Sequence, residues 1–334
     1  MRVLSAGLIM LMVGGVASAA GPKFKTMTVA ATGGDFTTIQ AAVNAAPDSG
    51  AVIRIRPGVY REVVHVDKPG IQLRGETEDP AKVVLVFGNS AASTCGTSCS
   101  ATLFVTGKDF VASEMTIAND YSKTNDVPSQ AVAVSVRGDR AVFRRVRLLG
   151  AQDTLYASSN GCMKDGSTCV TARQYYRDCY IEGHVDFIFG DAKAVFDHCE
   201  IRSIPHIAGG YLTAQSNTKP GQDAGYVFDH CRLTAEDGVG KVYLGRPWRE
   251  YATVIFMNTE MGAHIQAEGW SAWKGAPTDR LKTATYAEFR SSGPGGGAGG
   301  REPLSKQLTA KDAKQYETKA YLRGGDGWDP TKVK

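Results

Sequence analysis

In the segment YIEGHVDFIFG, Asp186 is the one acidic residue between Gly183 and Gly190, within a largely apolar and β-prone run. Burying a carboxylate without a partner costs several kcal/mol, so a carboxylate here either faces solvent or lies in a specialised site. We expect Asp186 on the outer face of a β-strand that Gly183 and Gly190 terminate, with Val185 and Phe187 anchored in the core. Asp186 is therefore the first candidate for catalysis.

Three further segments carry polar residues that suit ester cleavage. QAVAV begins with Gln130, GAQDTLY contains Gln152 and Asp153, and LGRPW contains Arg246. A carboxylate can cleave an ester when a second carboxyl group protonates the leaving alcohol and neutral donors hold the oxyanion. Neighbouring carboxyl groups push their pKa values apart, which allows one to be ionised and the other protonated. A single such residue is more often a turn or ladder residue, but the set of five favours catalysis.

The elements that must position these residues repeat along the chain. Six segments share one pattern of apolar and polar residues, at intervals of 20 to 33 residues, around the anchor positions Met115, Val146, Cys179, Cys199, Cys231 and Thr259. Short strands repeated at this spacing, with little helical periodicity between them, favour a solenoid of stacked coils. A β-sandwich would show hairpin signals every 8 to 12 residues. Together with the family resemblance described below, the repeat predicts an all-β, right-handed parallel β-helix.

Helical patterns are confined to the two ends of the predicted solenoid. Residues 35–46 have apolar side chains at helical spacing before Pro47, and Asp35 or Thr37 can cap a short N-terminal helix over the open end. Residues 291–300 predict a flexible loop, and a helical C-terminal tail is expected from about Thr309 to Tyr321. Both ends are interpreted as parts of one domain.

The composition predicts an exported globular protein. The chain has 334 residues, 43% of them hydrophobic, and a net charge of +4, which does not indicate nucleic-acid binding. Residues 1–20 have the layout of a signal peptide, with a retained anchor as the alternative, and residues 21–334 form the expected domain. No other segment is long and apolar enough to span a bilayer, so we expect a secreted or periplasmic protein without a membrane partner.

The seven cysteines are expected to be largely oxidised in such a compartment. Two pairs, Cys95 with Cys99 and Cys162 with Cys169, could each close a local loop. Cys179 and Cys199 occupy one repeat position in successive coils, about 4.8 Å apart and within disulfide range, which would leave Cys231 as a core thiol. A metal site is the alternative, because two DHC triplets occur, but no CxxC pair is present and we expect no metal.

Together with GVYRE (58–62), the four segments that contain Gln130, Asp153, Asp186 and Arg246 match, in order and spacing, the five signature segments of the pectin methylesterases. The chain resembles this family from GGDFTTIQAAVNAAP to YLRGGDGWDP. The resemblance is to bacterial members without an inhibitory pro-domain. It implies hydrolysis of the C6 methyl esters of homogalacturonan (pectin), giving pectate and methanol, by a monomer that uses no cofactor. GVYRE is expected to be structural, with Gly58 in a turn after Pro57 and with Tyr60 and Glu62 bracing the adjoining coil.

The resemblance also implies a role for each polar residue. Asp186 corresponds to the nucleophile and Asp153 to the general acid that later acts as a base. Gln152 and Gln130 correspond to oxyanion stabilisers, and Gln130 also to a substrate contact. Arg246 would hold Asp186 ionised and oriented through a charge-assisted hydrogen bond. The expected intermediate is an acyl-enzyme on Asp186.

Five residues are expected to contact the substrate. Trp248 offers a flat apolar face to a pyranose ring. Phe189, Tyr156 and Trp273 are further candidates, and Thr97 corresponds to a family threonine shortly before SAT (100–102). For the aromatic residues, the alternative is ordinary packing over the coils.

The segment between Tyr156 and Gln174 departs from the family pattern, because it is longer and carries Cys162 and Cys169. We expect this insertion to form a wall of the substrate cleft. Among other functions, a non-catalytic wall-binding protein on the same fold is the main alternative. A β-helical lyase would need a cluster of acidic calcium ligands with a basic proton acceptor, and a serine esterase would need a GxSxG segment; the sequence has neither.

Overall fold

The computed structural model describes residues 24–160, 169–297 and 299–333, and in these ranges the chain winds into coils of three parallel sheets. Sheet A contains β1 (Lys25–Val29), β2 (Ala51–Ile55), β5 (Ile71–Gly75), β8 (Val111–Ser113), β11 (Ala141–Arg144), β14 (Arg173–Arg177), β17 (Lys193–Asp197), β20 (Gly225–Asp229), β23 (Thr253–Met257), β25 (Thr285–Phe289) and β26 (Lys306–Gln307). Sheet B contains β3 (Gly58–Arg61), β6 (Val83–Phe87), β9 (Thr116–Asn119), β12 (Arg147–Leu149), β15 (Tyr180–Gly183), β18 (Glu200–Ser203), β21 (Arg232–Ala235) and β24 (Glu260–Met261). Sheet C contains β4 (Val64–Val66), β7 (Leu103–Val105), β10 (Val134–Val136), β13 (Leu155–Ala157), β16 (Ile188–Gly190), β19 (Gly210–Gln215) and β22 (Val242–Gly245). The predicted parallel β-helix is confirmed.

The predicted repeat corresponds to the corner between sheets A and B. Each of the six anchor residues directly precedes a strand of sheet B, and each is buried. The residue before each anchor has a left-handed backbone with φ between 48° and 55°, namely Glu114, Arg145, Asp178, His198, His230 and Asn258. This conformation makes a sharp turn in two residues, so the polar side chain lies outside the coil and the anchor side chain inside.

Stacked side chains fill the interior of the coils. Phe143, Tyr176, Phe196, Phe228 and Phe256 come from successive strands of sheet A, and their neighbouring ring centroids are 4.5 to 4.9 Å apart. Because each ring packs on the ring of the next coil, the apolar stack fixes the register of the strands.

The structure confirms one predicted disulfide and corrects another. Cys95 is bonded to Cys99, whereas Cys179, Cys199 and Cys231 are buried free thiols. A disulfide needs Cβ atoms roughly 3.5–4.5 Å apart, but in-register side chains of neighbouring coils point the same way and remain about 4.8 Å apart. Cys169 is disulfide-bonded, and its predicted partner Cys162 lies outside the described residues.

The N-terminal helix α1 spans Ile39–Ala45 and packs on the first coil, as predicted. Its cap is Thr38, not Asp35 or Thr37: the Thr38 hydroxyl accepts from the Ala41 amide, while Asp35 accepts from the Thr28 amide. Asp35 is too far from the first turn because the helix begins later than the apolar spacing suggested.

The GVYRE segment braces the first coils as predicted. The Glu62 carboxylate accepts from the amides of Ile39 and Gln40, the start of α1, at 2.7 and 2.9 Å, and the Tyr60 hydroxyl donates to the Arg56 carbonyl at 2.8 Å. Gly58 is the first residue of β3 and not part of a turn.

The C-terminal tail covers the outer face of sheet A. It contains α3 (Ala310–Ala313), a 3₁₀ turn (Lys314–Tyr316), α4 (Thr318–Leu322) and a 3₁₀ turn (Pro330–Lys332). The predicted helix is broken at Glu317, whose backbone is extended in ψ (136°). Helix α2 (Tyr121–Thr124) and 3₁₀ turns at Pro80–Lys82, Thr97–Cys99 and Arg280–Lys282 lie in the connections.

Two further predictions, for the ends of the chain, concern residues that lie at least partly outside the described ranges. The proposed signal peptide, residues 1–20, lies outside the described residues, and residue 298 of the loop 291–300 does too. In the part of the chain that is described, no helix combines the length and apolar character needed to cross a membrane.

Candidate active site

Asp153 and Asp186 occupy equivalent turns from sheet B to sheet C in successive coils. Asp153 lies two residues before β13 and Asp186 two residues before β16, and these strands pair in register. The Asp153 amide donates to the Val185 carbonyl at 3.2 Å, which joins the two turns. The in-register pairing of these two strands therefore places the two carboxyl groups one above the other.

The position predicted for Asp186 is partly wrong. Asp186 lies in a turn with φ of 52°, and Asp153 likewise has φ of 64°, so neither is in a strand. Aspartate adopts this backbone more readily than most non-glycine residues. Asp186 is only 7% exposed, rather than projecting from an outer face. Phe187 is buried as predicted, but Val185 is partly exposed, and Gly190 lies within β16.

Arg246, which follows β22, holds the Asp186 carboxylate with two parallel hydrogen bonds. Its Nε and Nη2 donate to the two carboxylate oxygens at 2.9 and 2.7 Å. The guanidinium carbon lies 3.9 Å from the ring centre of Tyr211 and 4.4 Å from that of Trp273. These rings fix the plane of the guanidinium group and so the orientation of the carboxylate. Sequence reasoning missed Tyr211, which carries no motif.

The two carboxyl groups have different electrostatic surroundings. Burial and the nearby charge of Asp186 raise the pKa of Asp153 well above its ordinary value. Burial also raises the pKa of Asp186, but the hydrogen bonds and positive charge of Arg246 oppose that rise. Arg246 therefore favours the ionised form of Asp186, and an ionised Asp186 favours a protonated Asp153.

A cleft of about 580 Å³ contains all ten residues predicted for the site. Its lining consists of Cys95, Gly96, Thr97, Ser98, Gln130, Gln152, Asp153, Tyr156, Asp186, Phe189, Ala214, Arg246, Trp248 and Trp273. The side-chain amides of Gln130 and Gln152 have no hydrogen-bond partner among the described residues, so both can donate to a bound molecule. The sequence did not predict that Cys95, Gly96, Ser98 and Ala214 line the cleft.

Aromatic side chains form one wall of the cleft. Tyr156 stacks on Phe189 with ring centres 4.6 Å apart, and the Trp248 ring meets Phe189 edge-on at 5.9 Å. Tyr156 and Phe189 are buried in this packing, while Trp248 and Trp273 are partly exposed. The two tryptophans therefore offer more surface to a ligand, and the other two rings support the wall.

The insertion after Tyr156 was expected to form another wall. Asn160 and Val170 form an antiparallel bridge at its base, and residues 161–168 between them lie outside the described residues. Neither bridge residue lines the cleft, and the wall stays a prediction. Within the described ranges, histidine, cysteine, aspartate and glutamate side chains form no cluster of three that could hold a metal ion.

Comparisons with known proteins agree with this geometry. The family model "Pectinesterase" matches residues 26–326. A curated relative, "Probable pectinesterase/pectinesterase inhibitor 17" of Arabidopsis thaliana, is 36% identical over 323 residues, which cover 93% of this chain and 59% of the relative. The chain thus spans less than two thirds of that protein.

Solved structures give the same result. The pectin methylesterase from carrot superposes with a TM-score of 0.81 at 31% identity and covers 92% of this chain and 96% of its own. A structure entitled as a pectin methylesterase in complex with a hexasaccharide has a TM-score of 0.76 at 29% identity, with 92% and 99% covered. Fold and sequence therefore agree on one family.

Proposed function

Because this chain belongs to the pectinesterase family, we propose that it hydrolyses the C6 methyl esters of homogalacturonan to pectate and methanol. The observation that carries the proposal is the pair of stacked, buried carboxyl groups of Asp153 and Asp186, of which only Asp186 is bonded to Arg246. One ionised and one protonated carboxyl group are what an aspartyl esterase needs.

In the first half of the reaction, an oxygen of ionised Asp186 attacks the ester carbonyl carbon. The amides of Gln152 and Gln130 donate to the oxyanion that develops, and they do so without changing charge. As the C–O bond to the methoxy group breaks, Asp153 transfers its proton to the leaving oxygen. The products are methanol and an anhydride that links Asp186 to the galacturonate unit.

In the second half, Asp153 is ionised and acts as a base. It removes one proton from a water molecule whose oxygen attacks the galacturonate carbonyl carbon of the anhydride, and the bond from that carbon to the Asp186 oxygen breaks. The galacturonic acid formed releases the second water proton to solvent and leaves as galacturonate. Asp186 returns to its ionised form, again held by Arg246, and Asp153 is again protonated. Each group thus recovers its initial state, and the cycle requires no metal or cofactor.

Substrate contacts are proposed for the residues along the cleft. Trp248 and Trp273, which are partly exposed, provide apolar faces for sugar rings, with Phe189, Tyr156 and Thr97 beside them. The hexasaccharide in the related structure supports a cleft that binds several sugar units.

Methanol release from highly methylated pectin tests this function. The wild-type protein is expected to release methanol, and Asp186→Asn is expected to lower the rate at least about a thousandfold. Asp178→Asn is the matched control, because Asp178 also lies in a left-handed turn but outside the cleft. Pectin binding without methanol release by the wild type would favour the non-catalytic wall-binding alternative.

We also propose that residues 21–334 act as one exported domain after cleavage of residues 1–20, and that this domain is a monomer. The disulfide between Cys95 and Cys99 supports export, because such bonds persist outside the reducing cytoplasm. N-terminal sequencing of the secreted protein and its mass in solution test these two points.

A further inference from the structure

A row of arginines runs along the outer face of sheet A. Arg54 pairs in register with Arg74, Arg74 with Ser113, Ser113 with Arg144, and Arg144 with Arg177. Neighbouring strands are about 4.8 Å apart, so the backbones of Arg74 and Arg144 are about 10 Å apart across Ser113. The small serine leaves a depression of about 370 Å³, here called the Ser113 gap. Its charged lining consists of Arg74, Arg144, Arg145, Arg177, Glu114 and Asp178.

Acidic side chains near the gap neutralise only part of this charge. Glu114 bonds Arg145, Asp178 and Asp197 contact Arg177 at 3.2 and 3.0 Å, and Glu76 contacts Arg54 at 3.5 Å. Arg144 instead donates to the neutral carbonyl of Pro330 at 2.9 Å, and it contacts no carboxylate in the described part of the chain. The positive charge of Arg144 therefore remains unneutralised on its side of the gap.

This arrangement is costly for the protein alone. Like charges on directly opposed positions of neighbouring strands destabilise a sheet. Consistent with that, burial and the positive charges of Arg54 and Arg144 lower the pKa of Arg74. An anion in the gap would relieve the repulsion, so its binding would be favoured by more than the new hydrogen bonds alone.

We propose that the Ser113 gap binds a carboxylate of de-esterified galacturonan, so that a polyuronide chain docks on sheet A, away from the catalytic cleft on sheet C. Guanidinium groups match the planar carboxylate through paired hydrogen bonds. Arg74 and Arg144, on the two sides of the gap, would contact carboxylates of different galacturonate units, which gives a polymer an advantage over a single anion. The assignment of galacturonan rests on the proposed function, whose product carries one carboxylate on each demethylated unit.

Binding of polygalacturonate, which carries no methyl esters, tests the proposal independently of catalysis. Arg144→Gln is expected to weaken binding about tenfold, whereas Arg232→Gln, an equal charge change on sheet B, is expected to change it less than about twofold. Added salt should reduce the difference between the two variants. Equal weakening by both variants would overturn the proposal, because only net charge would then matter.

A second variant distinguishes loss of the binding site from a folding defect. Ser113→Asp places a carboxylate in the gap, so it should raise the melting temperature and also weaken polygalacturonate binding about tenfold or more. Ser113→Asn should leave both quantities close to those of the wild type. Unchanged polymer binding by Ser113→Asp, or a lower melting temperature, would contradict the proposed site.

Two further measurements separate the remaining explanations. Methanol release from short methylated oligomers should be the same for Arg144→Gln and the wild type, since the gap lies outside the cleft; a lower rate would contradict the separation of the two sites. Inorganic phosphate is the probe for a simple anion site, and polygalacturonate should protect against thermal unfolding at about a tenth of the phosphate concentration. Equal protection per anion would overturn the assignment of a polymer. Absence of methanol release by the wild type would refute the proposed function and leave the binding result intact.

Discussion

Asp153 and Asp186 have the same side chain and lie in equivalent turns, yet their surroundings act differently on the pKa values of their carboxyl groups. Asp186 has two hydrogen bonds from Arg246, and Asp153 has no hydrogen-bond donor to its carboxyl group among the described residues. The difference arises because Arg246 follows β22, which lies three coils after β13 and two coils after β16, and its guanidinium group bonds only the nearer aspartate. The different roles proposed for the two aspartates therefore depend on which coil supplies the arginine.

Replacement of Arg246 by lysine tests this dependence. A lysine keeps the charge but cannot make two parallel hydrogen bonds, so Arg246→Lys should lower kcat/KM about 10- to 100-fold, mainly through kcat. Steady-state methanol release measures the effect. Arg249→Lys is the control, because Arg249 packs on the Trp248 ring without touching Asp186; a similar loss in both variants would argue against orientation by Arg246.

The raised pKa of Asp153 makes a second prediction, for stability. Between the ordinary aspartate pKa and the raised value in the folded protein, the folded state binds more protons than the unfolded state. The stability contributed by protonated Asp153 is therefore complete below the ordinary pKa and is lost as the pH rises through the raised value. Asp153→Asn removes this loss, so it should be inactive but more stable than the wild type at pH 8, with a smaller difference at pH 4. Denaturant unfolding at the two pH values measures it, and a variant that is less stable at pH 8 would be inconsistent with a protonated Asp153.

Catalysis and stability thus respond to pH in related ways. The proposed mechanism requires ionised Asp186 and protonated Asp153, so the rate should fall when acid protonates Asp186 and also when base ionises Asp153. A bell-shaped profile of methanol release is the expected result. A rate that rises continuously with pH would contradict the role of Asp153 as an acid.

At the scale of the elements, the left-handed turns decide what the sequence could reveal. The spacing of the anchor positions was sufficient to predict the coils, because the buried anchor follows the turn at the same offset each time. Apolar spacing does not predict the conformation of the turns, so it predicts a strand at Asp186 where the structure has a left-handed turn. The sequence does not predict a role for Tyr211, because only the stacking of the coils brings its ring against Arg246.

The cysteine stack shows the same limit. The repeat correctly placed Cys179, Cys199 and Cys231 at equivalent positions, but a shared position also makes their side chains parallel, which prevents a disulfide. The equivalent positions of the three cysteines were predictable from the sequence, but whether two of them form a disulfide was not.

A chemical test of the stack follows. All three thiols should resist alkylation in the native protein because they are buried, and all three should be alkylated in denaturant without reductant. Peptide mass spectrometry reads this directly. A disulfide-linked peptide that joins Cys179 to Cys199 would show that the free-thiol assignment is incorrect.

At the scale of the whole molecule, the tail and the cleft are on different sheets. The tail packs on the outer face of sheet A, and Leu322 in α4 is completely buried there. The cleft is formed at sheet C and its preceding turns. Stability supplied by the tail should therefore be separable from activity.

Truncation of one tail residue tests this separation. Leu322→Ala should destabilise the protein by about 2–5 kcal/mol, as expected for a buried leucine, while methanol release per folded molecule stays unchanged. Leu304→Ala is the control, since Leu304 is 46% exposed. Thermal unfolding and methanol release measure the two quantities, and a loss of activity in the folded fraction would reveal coupling between tail and cleft.

The opposite protonation states of Asp153 and Asp186 are the central claim, and infrared spectroscopy of the carboxyl groups tests it most directly. At about pH 6, where ordinary aspartates are ionised, the wild type should show a C=O stretching band of a protonated carboxyl group. This band should be lost in Asp153→Asn and retained in Asp178→Asn. A spectrum that does not change in Asp153→Asn would contradict the assignment of Asp153 as the proton donor.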